Sequence, residues 1–267
     1  MKKIKFTKMV AAGNDFIVTE LRAKSPELKT LARQVCDRKF GVGADGLLVL
    51  TKSVKADIRM RIFNADGSEA EMCGNGARCA GLFAALKYKK QNLVIETAAG
   101  LIQAVVRKED VKVQLTEPKN LNLDLPVRLV GPLRVNFINT GVPHAVVFVD
   151  SVDKIDVFSL GRQLRFHKIF APQGTNVDFV EIVSQDKIKV RTYERGVEDE
   201  TLACGTGVTA SALVTAIKLN KVCRGQISVL TRSGETLKVY FNVSAHKFSN
   251  VWLEGKAGII CEGEYHV

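Results

Sequence analysis

Two cysteines stand in matched surroundings, Glu71-Met72-Cys73-Gly74-Asn75-Gly76 and Leu202-Ala203-Cys204-Gly205-Thr206-Gly207. After each glycine-rich turn the chain runs through small residues, among them Ala77, Ala80, Gly81, Ala84 and Ala85 in the first case and Ala210, Ala212 and Ala216 in the second. That pattern predicts two closely packed helices starting at Gly74 and Gly205. A cysteine at such a start meets unpaired backbone N–H groups and the positive end of the helix dipole, both of which stabilise an anion. The setting is expected to favour thiolate over thiol, lowering a pKa that is ~8.5 in a free cysteine. The glycines also let a carboxylate approach the bare amides.

Two equivalent thiols facing one cleft suit a reaction in which a proton leaves one face of a carbon and another arrives on the opposite face. One thiolate acts as base and the other thiol as acid, exchanging roles in the reverse direction, and their titrations belong to the pair. For an amino-acid α-proton the acidity gap is on the order of ten units, which corresponds to ~14 kcal/mol. Water exclusion and the two helix N-termini have to offset much of that. A single Cys-Gly pair reads equally well as a buried thiol beside a turn; two at symmetric positions favour chemistry. Metal binding fits poorly, because no C-x-x-C occurs and Cys73 and Cys79 point about 120° apart on a helix. A redox disulfide between Cys73 and Cys204 would follow only from thiols held close together.

The elements that position these thiols are readable because the chain repeats itself at an offset of about 131 residues. Ile4-Lys5-Phe6 pairs with Val135-Asn136-Phe137, Phe16-Ile17-Val18 with Val147-Phe148-Val149, and Leu31 to Val35 with Leu160 to Leu164. Gly41 and Asp45 correspond to Gly174 and Asp178, Arg61 to Arg191, and Thr97 and Gly100 to Thr231 and Gly234. Strands are predicted at 3–8, 57–63, 93–97 and 111–115, and in the second copy at 134–138, 187–193, 226–231 and 250–253. Ser25-Pro26-Glu27 reads as a helix start with Ser25 as cap, and Leu28, Leu31, Ala32, Val35 and Cys36 share one helical face. Cys36 is therefore expected in the core. The pattern is α+β, two similar domains with a ligand cleft between them.

Composition narrows the class further. The 267 residues are 46% hydrophobic and 25% charged, enough apolar material for a real core. Six scattered cysteines lack the density of a disulfide scaffold and are expected to be reduced. The basic start from Met1 resembles a signal n-region, but Asn14 and Asp15 break the following apolar stretch, and no run approaches the ~20 residues of a membrane span. A cytoplasmic protein with no membrane partner is expected. The net charge of +11 comes from scattered lysines and arginines with only 7% aromatic residues, which reads as a solvated basic surface with no nucleic-acid partner.

The motifs Gly13-Asn14-Asp15-Phe16, Gly41 to Gly46, Phe63 to Ser68, Met72 to Gly76, Pro143-His144, Asn176 to Phe179, and Glu194-Arg195-Gly196 through Cys204 to Gly207 resemble the diaminopimelate epimerase family, in its order. The resemblance implies two pseudo-symmetric lobes, each a mostly antiparallel β-sheet wrapped around a central helix. The lobes are expected at 1–116, with 257–267 able to return to it, and at 117–256. It implies an isomerase without cofactor or metal that interconverts LL- and meso-2,6-diaminopimelate, on the route to lysine and peptidoglycan, and it suggests a homodimer.

Position by position, the resemblance makes Cys73 and Cys204 the acid/base pair. It places the reacting carboxylate on the amides of Gly74, Asn75, Gly205 and Thr206. Asn64, Asn176 and Arg195 would bind the distal carboxylate, Glu194 the distal ammonium, and Asn14 would line the same pocket; His144 and Glu194 would adjust the thiols' protonation. An Arg fork, amide donors and a carboxylate are what a substrate with two carboxylates and two ammonium groups requires. Taken alone, Glu194-Arg195 reads as a surface ion pair, Asn14 and Asn176 as turn residues, and His144 as structural. Val142 stands where many members have Asn, and Gly46 where some have Gln, which touches fine specificity more than reaction type. The rivals are a racemase resembling proline racemase, against which Glu194 and Arg195 argue, and a non-catalytic or redox thiol protein.

Overall fold

The computed structural model describes residues 3–21, 24–129 and 131–267, without the side chains of Ser25 and Pro26. The basic start read at Met1 and Lys2 lies outside the described residues. The chain divides into two compact units, Met1–Gln114 with Glu254–Val267, and Leu115–Leu253.

The first unit carries β1 (Lys3–Ala11), β2 (Asn14–Glu20), α1 (Ser25–Cys36), β3 (Gly46–Thr51), β4 (Ile58–Asn64), β5 (Glu69–Ala70), α2 (Gly74–Tyr88), β6 (Asn92–Thr97), β7 (Gly100–Arg107) and β8 (Asp110–Gln114). The second carries β9 (Lys119–Arg128), β10 (Pro132–Asn139), β11 (Pro143–Phe148), α3 (Val157–Arg165), β12 (Asn176–Ser184), β13 (Lys187–Glu194), β14 (Asp199–Thr201), α4 (Gly205–Lys218), β15 (Cys223–Leu230) and β16 (Thr236–Ser244). β17 (Lys247–Lys256) follows, and the last strand, β18 (Gly258–His266), pairs antiparallel with β1, Lys3 opposite His266.

Pairing repeats the sequence repeat. In the first unit β1–β2 is antiparallel, β2–β3 parallel and β3–β4 antiparallel, then β4–β6 parallel. In the second, β10–β11 is antiparallel, β11–β12 parallel, β12–β13 antiparallel and β13–β15 parallel. Each unit is thus a mixed, mostly antiparallel sheet, the α+β class expected. Within each, one helix packs on many strands: α2 on β1, β2, β3, β4, β6, β7 and β8, and α4 on β10, β11, β12, β13, β15 and β16. Their small side chains make this possible, since backbones can approach strands closely only where little projects. Ala77, Ala80 and Ala84 of α2, and Ala210, Ala212 and Ala216 of α4, are buried.

The amphipathic α1 closes the core of the first unit. Leu28, Leu31, Ala32, Val35 and Cys36 bury against Leu47, Val49 and Phe63, each large side chain contributing about 1.5–3 kcal/mol. Cys36 sits in that core, where burial and then the charges of Asp15 and Asp45 push its thiol up to about 12. The start of α1 differs from expectation. The helical backbone already includes Ser25, so the cap position falls to Lys24, whose N–H donates to the Glu27 carboxylate at 3.2 Å. The Ser25 side chain proposed as cap lies outside the description.

Candidate active site

Cys73 and Cys204 each occupy the position immediately before a helix, Cys73 ahead of α2 and Cys204 ahead of α4. Both have extended backbone, which turns the side chain back over the first helical amides. The Cys73 Sγ accepts the Gly76 N–H at 3.4 Å and is half-buried. Gly74 and Asn75, expected to present amides to a carboxylate, form the first turn of α2. Gly205 and Thr206 do the same in α4, where Thr140 Oγ1 donates to the Thr206 carbonyl at 2.9 Å.

The surroundings of Cys204 are the more elaborate. Its Sγ lies 3.3 Å from Thr206 Oγ1, which lies 2.9 Å from His144 Nε2. His144 Nδ1 lies 2.7 Å from Asp178 Oδ2, both side chains being wholly buried, and Thr192 Oγ1 donates to Asp178 Oδ1 at 2.7 Å. An ionised carboxylate can only accept, so His144 Nδ1 donates to Asp178, and in the tautomer whose one hydrogen is on Nδ1 the Nε2 atom accepts from Thr206. Thr206 Oγ1 is then free to accept from the Cys204 S–H. The chain Cys204, Thr206, His144, Asp178 has one polarity from end to end.

The strands explain the assembly. His144 on β11 and Asn176 on β12 are parallel neighbours, and Asp178 is two residues further along β12, on the same face by the two-residue period. Thr192 is the antiparallel partner of Asp178, and Glu194 follows two residues later on β13. Gly207 lets α4 press on this group: a Cβ there would lie 2.3 Å from Asp178 Oδ1 and 3.2 Å from His144 Cε1.

The protonation expected of Cys204 is reversed. Burial first, then the charges of Glu194 and Asp178, hold its thiol well above the ordinary value, and the Gly207 amide pulls the other way without offsetting them. The helix terminus favours an anion, but removing the sulfur from water beside carboxylates weighs more. At rest Cys204 is a thiol.

The remaining expected residues divide. Asn14 opens β2, and its Oδ1 is buried with no hydrogen-bond partner among the described residues. Asn64 is exposed at the end of β4, its amide donating to Ser68 Oγ at 2.9 Å. Asn176 is buried and braces the backbone: Nδ2 donates to the Pro143 carbonyl at 3.0 Å, and Oδ1 accepts the Arg195 N–H at 2.8 Å. Glu194 and Arg195 are half-buried, Arg195 Nη1 donating to the Gln173 carbonyl at 3.2 Å. A side chain at Gly46 would meet the Phe63 carbonyl at 2.9 Å and the Phe16 ring at 3.3 Å, so it has no room without a strand shift.

Sequence reasoning missed Asp178 as the partner of His144, naming it only as the repeat counterpart of Asp45, and missed Thr192 and the Thr206 hydroxyl. The signal was the alternation Asn176-Val177-Asp178, which puts two polar residues on one face of an otherwise apolar strand.

The family model for diaminopimelate epimerase matches residues 6–121 and 136–257. A diaminopimelate epimerase of Aquifex aeolicus is 45% identical over 279 aligned positions, covering 97% of each chain. Among solved structures, a PhzF-family phenazine biosynthesis protein of Bacillus anthracis aligns over 100% of both chains with a TM-score of 0.78 at 18% identity. A hydroxyproline epimerase of Agrobacterium vitis aligns over 98% of this chain and 92% of its own, with a TM-score of 0.74 at 17% identity. These two likenesses speak for the fold alone. With both cysteine-capped helices inside the matched segments and that identity across nearly its whole length, the chain belongs to the diaminopimelate epimerase family and is an amino-acid epimerase, an isomerase.

Proposed function

We propose that this enzyme interconverts LL- and meso-2,6-diaminopimelate without a cofactor, with Cys73 and Cys204 as a base and acid acting on opposite faces of one α-carbon. The observation that carries the reading is the pair of matched cysteine caps on buried helices, each followed by a glycine-rich first turn. Family membership supports the substrate.

In one direction the Cys73 thiolate takes the α-proton, the electron pair stays on the α-carbon and its carboxylate, and the Cys204 S–H delivers a proton to the other face. The enzyme is left with a Cys73 thiol and a Cys204 thiolate, which is the starting state for the reverse direction. The raised pKa of Cys204 fits the acid role in the first of these. The amides of Gly74, Asn75, Gly205 and Thr206 receive the α-carboxylate as it gathers charge. Asn64, Asn176 and Arg195 take the distal carboxylate and Glu194 the distal ammonium. The orphaned Oδ1 of Asn14 suits an ammonium donor in the same pocket. His144, backed by Asp178, and Glu194 set the protonation of the sulfur. On the family resemblance, the enzyme works as a cytoplasmic homodimer.

The test is α-proton exchange, followed by NMR on LL-diaminopimelate in deuterated water for the intact enzyme and for Cys73→Ser and Cys204→Ser. Exchange should accompany epimerisation in the intact enzyme. Exchange that continues undiminished in both variants rejects the pair.

A further inference from the structure

α2 carries a charge that the chemistry above does not use. Arg78 is fully buried, and its Nη2 donates to Asn75 Oδ1 at 2.6 Å, Asn75 itself being buried. Helical side chains lean toward the N-terminus, and Asn75 lies ~3 Å along the axis from Cys73 at ~1.5 Å per residue. The bond to Asn75 therefore holds the guanidinium beside the first turn, the turn whose Gly76 N–H reaches the Cys73 sulfur. At the matching step of α4, five residues after its cysteine, stands Thr209, whose hydroxyl donates to the Gly205 carbonyl at 2.9 Å.

We propose that Arg78 is a positioning residue of the Cys73 half-site: its guanidinium fixes the Asn75 side chain and keeps a permanent positive charge beside the first turn of α2, biasing Cys73 toward thiolate. Arginine suits the task because it remains charged at every working pH and its planar fork orients an amide oxygen.

The other charges on strands packed against α2 are paired or exposed. Lys3 pairs with Glu264, Lys8 with Asp15, Arg59 with Glu96, Arg61 with Glu69 of β5, and Glu20 with Lys87 of α2 itself. Lys5, Arg107 and Asp110 are exposed, Lys112 is half-buried, and Glu71, two residues before Cys73, is exposed. The two half-sites are thus given opposite electrostatic surroundings, a cation near Cys73 and carboxylates near Cys204.

The proposal rests on the two-thiol reading for its purpose, yet it is testable without turnover. Alkylation of the full-length enzyme by iodoacetamide, followed against pH with peptide mass spectrometry to separate the cysteines, gives a midpoint for each thiol. In the unmodified sequence the Cys73 midpoint should lie below ~8.5 and below that of Cys204. Arg78→Met should raise the Cys73 midpoint by about one unit, a tenfold loss of thiolate at neutral pH, and Arg78→Lys should keep it within about 0.3 unit, with Cys204 unmoved in both. An unchanged Cys73 midpoint in Arg78→Met, or equal shifts at both cysteines, overturns the assignment. Should Arg78→Met fail to fold, a Cys73 midpoint at or above that of Cys204 in the unmodified enzyme overturns it as well. A lowered Cys73 midpoint in an enzyme inert toward diaminopimelate rejects the proposed function and leaves the role of Arg78 standing.

Discussion

The aspartates at equivalent points of the repeat, Asp45 and Asp178, have taken opposite employment. Asp178 is wholly buried between His144 and Thr192, one end of a hydrogen-bonded chain that reaches the Cys204 sulfur. Asp45 sits in a surface network instead. Arg38 Nη2 donates at 2.8 Å to both Asp45 and Asp15, and Lys8 lies 3.1 Å from Asp15. The same strand pairing thus supports a buried hydrogen-bonded chain in one unit and a surface ion-pair clamp in the other. What differs is the neighbouring element: β11 carries His144 beside β12, whereas the matching position of the repeat, just ahead of β2, is Gly13, which has no side chain to offer. A duplicated scaffold fixes where a helix start and its cysteine go, and the neighbouring strand decides which side chains surround that cysteine.

The largest effect should come from the cysteines themselves. Cys204→Ser removes the acid and should lower kcat about 10³-fold with KM little changed, measured by epimerisation under saturating substrate. Next comes Asp178→Asn. The amide can donate to His144 Nδ1, which favours the other tautomer and reverses the Thr206 hydroxyl, so kcat should fall about 10²-fold while the fold is kept. A kcat within threefold of the parent would reduce the chain behind Cys204 to scaffolding. Gly207→Ala tests the same contact by sterics. The new methyl meets a buried carboxylate oxygen with nowhere to move, and urea denaturation should show a loss of about 2–3 kcal/mol.

The smallest change belongs to the clamp. Arg38 holds Asp15 below the ordinary carboxylate range against the opposing effect of burial, while burial holds Asp45 above it. A depressed pKa stabilises the fold above the unfolded value of about 4, and that contribution disappears as pH falls through the lowered folded value. The raised value of Asp45 works in the opposite sense, its ionised form costing stability that protonation relieves. Arg38→Met should therefore cost about 1 kcal/mol at pH 7, a figure discounted for the exposure of Arg38, and the difference from the parent should shrink below pH 4. A difference that grows in acid would contradict the clamp.

Much of this was legible because both helices advertise their beginnings. Cys-Gly-x-Gly followed by alanines marks a helix start and a close-packed face at once, and α2 and α4 begin at Gly74 and Gly205 as read. The β-branched runs gave the strands for a similar reason, since half-buried pleats select them. The hydrogen-bonded chain was hidden because His144, Asp178 and Thr206 lie far apart in sequence and meet only through the parallel register of β11 and β12 and the packing of α4 on both strands. The state of Cys204 was hidden for another reason: sequence shows the helix dipole but not the loss of water around the sulfur. The cap of α1 slipped by one residue because Ser25 and Lys24 compete for the position and Glu27 reaches back to Lys24.

The pairing of β18 with β1 has a consequence for biosynthesis. The second unit is one uninterrupted stretch, Leu115–Leu253, whereas the first recruits Glu254–Val267. As the chain leaves the ribosome, the later-made unit has all its strands before the earlier one does, and β1 waits with an unpaired edge until the final strand emerges. Nascent chains halted before Gly258 should therefore protect the second unit from protease while leaving the first susceptible.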